Sequence, residues 1–111
     1  MPLRQLAKAQ WRTYFERVSG ALGASRVEIE ATGLGLGGEA RAEWIPLLGL
    51  SYEPESDLLS VIAEGARHLI RHPKQVYVEH EEDWLLGIEV LDAEGVRHFM
   101  LLRDPLMLPA P

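Results

Sequence analysis

The chain has 111 residues, a length that suits one domain and is too short for two. It contains no cysteine, which excludes disulfides, zinc fingers, iron–sulfur clusters and thiol catalysis and favours a reducing compartment. Seventeen acidic and eleven basic residues give a formal charge of −6, so nucleic-acid binding is not expected.

The sequence also predicts no membrane association. No apolar run reaches the roughly 18 residues of a membrane span, and a charged segment stands where a signal peptide would be apolar. These features predict a soluble, cytoplasmic protein.

An amphipathic helix is predicted over residues 6–22. Trp11, Phe15, Val18 and Leu22 recur at intervals of three or four residues, which places them on one stripe of an α-helix. The helix cannot bury this stripe alone, so it must lie on another element.

The N-terminal segment is locally basic in an acidic chain. Residues 1–17 carry four basic side chains and one acidic one, a local charge of +3: Arg4, Lys8, Arg12, Arg17 and Glu16. A negative average charge can therefore hide a positive patch.

Most of the remaining chain alternates between apolar and polar residues, as half-buried strands do. The predicted strands cover residues 26–32, 39–45, 47–52, 58–63, 75–80, 84–91 and 96–102. Turn residues at 53–57 and 92–95 predict two hairpins. We therefore expect a single α+β domain, in which the helix packs on a curved, mainly antiparallel sheet or open barrel of about six or seven strands.

Residues 65–72 differ from this pattern, because Ala66, Leu69 and Ile70 follow helical spacing and Pro73 ends the segment. A helix of one to two turns is predicted there.

On such a helix, four basic or titratable side chains would share one face: Arg67, His68, Arg71 and His72. We interpret this face as a candidate anion site for a phosphate, a carboxylate or an acidic partner. The alternative is a solvated basic turn, balanced by Glu64 or by the acidic residues 79–83.

Other motifs carry little chemistry. Residues 33–38 have the spacing G-x-G-x-x-G, but the preceding strand alternates and Glu39 would repel a phosphate, so a flexible connection is predicted. His68 and His72 lack the glutamate of a zinc-binding helix, because Leu69 occupies its place. No serine lies in a nucleophile elbow. We predict no catalytic residue, no metal and no cofactor.

The C-terminal segment is unusually apolar for a chain end. Leu106, Met107 and Leu108 lie between two prolines that favour an extended backbone. They either dock on their own domain or form an interface with a neighbouring subunit. The last strand is also apolar on both faces, since Phe99 and Leu101 oppose Met100 and Leu102, so one face could meet a second subunit.

Several stretches together resemble a family of small, single-domain bacterial proteins known only as a domain of unknown function. The most specific are Trp-x-Pro-Leu-Leu-Gly at residues 44–49 and Leu-Arg-Asp-Pro-Leu at residues 102–106. Further likeness lies at residues 11–19, 27–30, 64–65, 68–70, 73 and 76–78. The resemblance implies a stand-alone bacterial protein and transfers no catalytic residue. His68 matches the family pattern, whereas Arg67 replaces an acidic residue.

These observations favour a non-enzymatic interaction or accessory module that forms a homo-oligomer or binds a protein partner. The alternative is a small-molecule or anion-binding domain that uses residues 67–74.

Overall fold

The computed structural model describes residues 3–22, 28–32 and 42–108. Its helix, α1, spans Trp11–Leu22 and follows a short 3₁₀ turn, Lys8–Gln10. The predicted helix therefore starts later than residue 6, because Leu3–Leu6 forms strand β1 and Ala7 is extended. The predicted stripe is confirmed, since its side chains are nearly fully buried: Trp11, Phe15, Val18 and Leu22.

Within the described residues, eight strands form the sheet. Besides β1 they are β2 Glu28–Thr32, β3 Ala42–Glu53, β4 Leu58–Ala63, β5 Ala66–Arg71, β6 Pro73–Glu81, β7 Trp84–Asp92 and β8 Arg97–Met107. Their order is β1-β6-β7-β8-β2-β3-β4-β5, and every neighbouring pair is antiparallel. Edge strands β1 and β5 do not pair with each other within the described ranges, so the sheet is open. The predicted α+β fold is confirmed.

Strand β3 joins the two halves of the sheet. The sequence predicts two strands here, interrupted near Pro46, whereas the structure has one strand of 12 residues. Its first part pairs with β2 as far as Pro46, and its second part pairs with β4 from Leu47 onward. A register shift between Leu47 and Gly49 marks the change of partner. Proline is tolerated at such an irregularity because it has no amide hydrogen to donate.

Helix α1 docks beside the second part of β3. The Ser19 hydroxyl donates to the Leu50 carbonyl at 2.6 Å and accepts from the Leu50 amide at 2.9 Å. One side chain thereby satisfies both backbone groups at a point where the described part of β2 no longer pairs. The Trp11 ring completes the packing edge-to-face on Tyr52, with 5.1 Å between ring centroids.

Short turns connect the strands of each hairpin. The predicted hairpins β3–β4 and β7–β8 are both present. In the second, the Asp92 carboxylate accepts from the amides of Glu94 and Val96, and Gly95 has φ +86°. This side-chain-to-backbone pattern explains why the turn follows an aspartate.

The helix predicted over residues 65–72 is wrong. Ala66–Arg71 is strand β5, which pairs with β4 in full register from Ala63 to Leu58. Glu64 and Gly65 form the connection, and Gly65 has φ +78°, a conformation that favours glycine. The helical spacing gave a wrong prediction because β4 offers hydrogen-bond partners to the backbone of this segment, whereas a helix of one or two turns is marginal by itself.

The core lies between α1 and the inner face of the sheet. It includes Leu59 and Ile70 from one half and Val76, Val78 and Val90 from the other, each no more than 1 % exposed. No helix among the described residues is long and apolar enough to cross a membrane.

Candidate functional site

The strand conformation of β5 divides the predicted basic cluster. Arg67 and Arg71 lie on one face, with exposed Leu69 between them, because alternate strand residues point to the same side. His68 lies on the opposite, inner face beside buried Ile70. His72 follows the strand, at φ +55°. The shared helical face that the anion hypothesis assumed is therefore not formed.

His72 has its own carboxylate partner. Its Nδ1 lies 3.2 Å from Asp57 Oδ2, and the Tyr52 hydroxyl donates to Asp57 Oδ1 at 2.7 Å. Lys8 is 3.8 Å from the same carboxylate. The hydrogen bond from Tyr52 is the main cause that lowers the pKa of Asp57. Burial and the Asp57 carboxylate together raise the pKa of Tyr52 to about 12.

His68 contributes to a second cluster, which the sequence did not predict. His68 Nε2 lies 3.2 Å from His98 Nδ1, and His98 Nε2 lies 3.0 Å from Asp92 Oδ2. His98 is only 5 % exposed. Strands β5 and β8 are separated by three strands in the sheet, so this contact requires strong curvature. A lone histidine in an alternating strand carried no signal that could have indicated its partner.

The protonation of this cluster follows from its geometry. A carboxylate only accepts, so His98 Nε2–H donates to Asp92, and in the neutral ring Nδ1 accepts from His68 Nε2–H. Burial and the neighbouring His98 both lower the pKa of His68. Burial alone would raise the pKa of Asp92, but the hydrogen bonds from His98 and from the turn amides hold it below its usual value.

A third polar contact joins α1 to β6. The Tyr14 hydroxyl lies 2.6 Å from His80 Nε2, and His80 Nδ1 lies 3.4 Å from the Glu82 carbonyl. Because a carbonyl only accepts, Nδ1–H donates and Nε2 accepts from Tyr14. Burial and the charges of Arg4 and Arg17 lower the pKa of His80, against the Glu82 contact. Burial raises the pKa of Tyr14 despite the same two arginines.

None of these clusters assembles a metal site from three or more histidine, aspartate or glutamate side chains within the described part of the chain. The glycine-rich residues 33–38 lie outside the described residues. The acidic residues 79–83 form the end of β6 and the turn into β7, where Glu82 has φ +57°.

The outer face of β7 and β8 carries several exposed apolar side chains. On β8, Phe99 and Leu101 are 45 % and 47 % exposed, and Trp84 and Met107, which pair across β7 and β8, are 41 % and 54 % exposed. Glu89 lies on this face but is buried and paired with Arg97. Phenylalanine, tryptophan and methionine are residue types that are enriched at protein interfaces.

The three residues of the predicted tail interface have different environments. Leu106 and Leu108 are each 2 % exposed and belong to the core of their own chain. Leu106 pairs with Leu85, because β8 continues to Met107. Met107 alone points outward. The segment therefore docks on its own domain, and only Met107 offers a surface to a neighbour.

These features define a small α+β domain in which an N-terminal helix packs on an open antiparallel sheet. The chain belongs to a family of unknown function, DUF5335, whose model matches residues 3–111. It is 38% identical over 110 residues to an uncharacterized protein of the bacterium Aquifex aeolicus strain VF5. The match covers 98% of this chain and 99% of that protein. The resemblance seen in the sequence is confirmed. No solved structure matches the chain.

Proposed function

We propose that this protein is a non-enzymatic interaction module that associates with a second copy of itself through the outer face of β6, β7 and β8. The observation that carries the proposal is the exposure of Phe99 and Leu101, 45 % and 47 %, on a strand whose inner residues are fully packed. Burying such side chains stabilises association by about 25 cal/mol per Å² of apolar surface, before the costs of binding.

The arrangement of charge supports a second copy as the partner. Strand β6 presents Glu79 and Glu81 beside this face, and β8 presents Arg103 at the same level, whereas Arg97 is already paired with Glu89. A twofold axis parallel to β7 would place β8 of one copy over β6 of the other. Arg103 of each copy would then lie over Glu79 and Glu81 of the other, which suits an isologous contact.

The packing around Gly87 also suits a close sheet-to-sheet contact. Gly87 pairs with Leu101, and Leu101 Cδ1 lies 4.0 Å from where a side chain at this position would begin. Leu101 therefore covers part of β7 beside the Glu79 carboxylate, whose Oε1 lies 3.9 Å from the same point. Packed sheets approach to about 10 Å, a separation that such side chains fill.

The experiment is the molar mass in solution, measured by sedimentation equilibrium over a wide concentration range. We expect the mass to approach twice 12.5 kDa as concentration rises. Leu101→Lys should raise the dissociation constant at least about tenfold, because association would bury an unpaired charge.

Leu48→Lys is the matched control, since Leu48 is 58 % exposed on β3, outside this face. It should leave the dissociation constant unchanged. A wild-type chain that stays monomeric throughout, or equal effects of the two variants, would overturn the proposal. A monomeric chain would favour a different protein as partner.

We further propose that the protein acts in the cytoplasm. The absence of cysteine supports this location, because a reducing compartment gives no role to disulfides.

A further inference from the structure

The surface between β1 and α1 contains two neighbouring clefts. One, of about 490 Å³, is lined by Arg4, Gln5, Thr13, Tyr14 and Arg17 among others. The second, of about 580 Å³, is lined by Arg4, Gln5, Leu3, His80 and Glu82. Arg4 and Gln5 separate the two clefts and line both. The hydrogen-bonded pair of Tyr14 and His80 contributes one residue to each.

The first cleft combines positive charge with hydrogen-bonding groups. The Arg17 guanidinium lies over the Tyr14 ring, 6.0 Å from its centroid, which fixes the orientation of both. Arg4 and Arg17 both line this cleft, and the charges of both act on Tyr14 and His80. Among the described residues, no acidic side chain lines this cleft, whereas Glu82 lines the second.

We propose that this first cleft binds a small oxyanion, a phosphate, sulfate or carboxylate group, between the guanidinium groups of Arg4 and Arg17. Arginine suits this role because its planar fork matches the oxygens of such groups. Gln5 and Thr13 supply neutral hydrogen-bond donors at the rim. Two of the four basic residues in segment 1–17, Arg4 and Arg17, line this cleft.

His80 couples the site to pH. Its ring is neutral when Nε2 accepts from the Tyr14 hydroxyl. If Nε2 is protonated, it donates instead, and the Tyr14 hydroxyl hydrogen becomes free to turn toward the cleft. An anion would favour this charged state and offset the repulsion from Arg4 and Arg17. The Glu82 carbonyl, which lies beside Nδ1, and the Asp83 carboxylate both favour the charged ring.

Linkage makes this coupling reciprocal. If a bound anion stabilises the protonated imidazole, protonation must strengthen anion binding by the same factor. Binding should therefore tighten as pH falls through the range in which His80 titrates. Sulfate is the appropriate probe because its own charge stays constant across the range in which histidine titrates.

The test is a sulfate titration of the full chain followed by ¹H–¹⁵N NMR at constant ionic strength. We expect the largest amide shifts at residues 4, 5, 13, 14, 17 and 80. The signals of the His80 ring should report a higher pKa in saturating sulfate. The rings of His68, His72 and His98 are internal controls that should not move.

Variants separate a specific site from general charge attraction. Arg4→Gln, at an exposed side chain, should weaken sulfate binding about tenfold, because charge-assisted hydrogen bonds are lost. Arg12→Gln removes the same charge from α1, where Arg12 is paired with Glu16 and does not line the cleft, so binding should be unchanged.

Equal weakening by the two variants would overturn the proposal, as would shifts no larger here than elsewhere. Shifts concentrated on residues 67–74 would overturn it in favour of the segment predicted from the sequence. Sulfate binding that leaves the pKa of His80 unchanged would overturn the coupling. None of these outcomes depends on the association of two copies, so the two proposals fail separately.

Discussion

At the scale of single residues, the molecule places its histidines in three different environments. His98 is buried between an imidazole and a carboxylate, His80 accepts from a tyrosine, and His72 is exposed beside Asp57. No buried side-chain nitrogen or oxygen in the described ranges lacks a hydrogen-bond partner. The clusters therefore stabilise the fold only while their protonation states are kept.

This dependence predicts that acidification destabilises the protein. The folded-state pKa values of His68 and His80 lie below that of an unfolded histidine, about 6.5, so the unfolded chain takes up protons first as pH falls. The contribution of these two histidines to the free energy of unfolding is complete above about pH 6.5 and is lost as the pH falls below it. Urea unfolding at a series of pH values should show the free energy of unfolding decreasing in this window.

His68→Gln should reduce that pH dependence, since glutamine hydrogen-bonds without titrating. His72→Gln, at an exposed histidine, provides the comparison. The lowered pKa values of Asp57 and Asp92 add a separate loss of stability only at lower pH, below about 4. A free energy of unfolding that rises between about pH 7 and pH 5 would contradict this account.

At the scale of elements, α1 is held to the sheet by more than its apolar stripe. Ser19 forms two hydrogen bonds with the backbone of Leu50, where β3 has passed from β2 to β4. The hydroxyl takes the position that a neighbouring strand would otherwise occupy. The Ser19 side chain therefore couples the position of α1 to the part of β3 that follows its change of partner.

Ser19→Ala tests this coupling. The substitution should lower the free energy of unfolding by about 1–3 kcal/mol, because the Leu50 amide and carbonyl lose their partner in a partly buried position. Ser56→Ala is the matched control, since Ser56 bonds Glu53 weakly in an exposed turn and should cost less than about 0.5 kcal/mol. Equal losses, measured by chemical denaturation, would mean that the two bonds add nothing to helix docking.

At the scale of the whole molecule, the curved sheet closes over one core. The contact of His68 with His98 joins strands that are not neighbours, and the Ala93 amide donates to the His72 carbonyl at the end of the β6–β7 pair. The C-terminal part of β8 completes the core with Leu106 and Leu108. The segment from Arg97 to Met107 is thus a structural strand, and Leu108 after it is packed in the core.

Adjacent tail residues should consequently differ in their effect on stability. Leu106→Ala should cost about 2–4 kcal/mol, since it leaves a cavity in a packed core. Met107→Ala should cost less than about 0.5 kcal/mol in the monomer, because Met107 is 54 % exposed. Thermal unfolding of the two variants at low and high protein concentration measures both values.

The outcome that contradicts this assignment is a loss for Leu106→Ala that depends on protein concentration. Such dependence would mean that the segment exchanges between copies instead of docking on its own domain.

Local sequence pattern determined much of the fold. The stripe of α1, the alternation of β2 to β4 and β6 to β8, and the turns at residues 53–57 and 92–95 each depend on a period or on turn residues that act over a few positions. These features specify an α+β domain without knowledge of its contacts. The two-faced pattern of Phe99 to Leu102 likewise indicated that β8 has an exposed apolar side.

Tertiary structure decided the rest. Residues 66–71 are compatible with a helix by spacing, and pairing with β4 makes them a strand, which sends Arg67 and His68 to opposite faces. The contacts of His98 with His68, of His80 with Tyr14 and of Ser19 with Leu50 each join residues 30 to 66 positions apart, so no local pattern could indicate them. Sequence periodicity indicates which side of a helix or strand is buried. Only the curvature of the folded sheet determines which buried side chains come into contact.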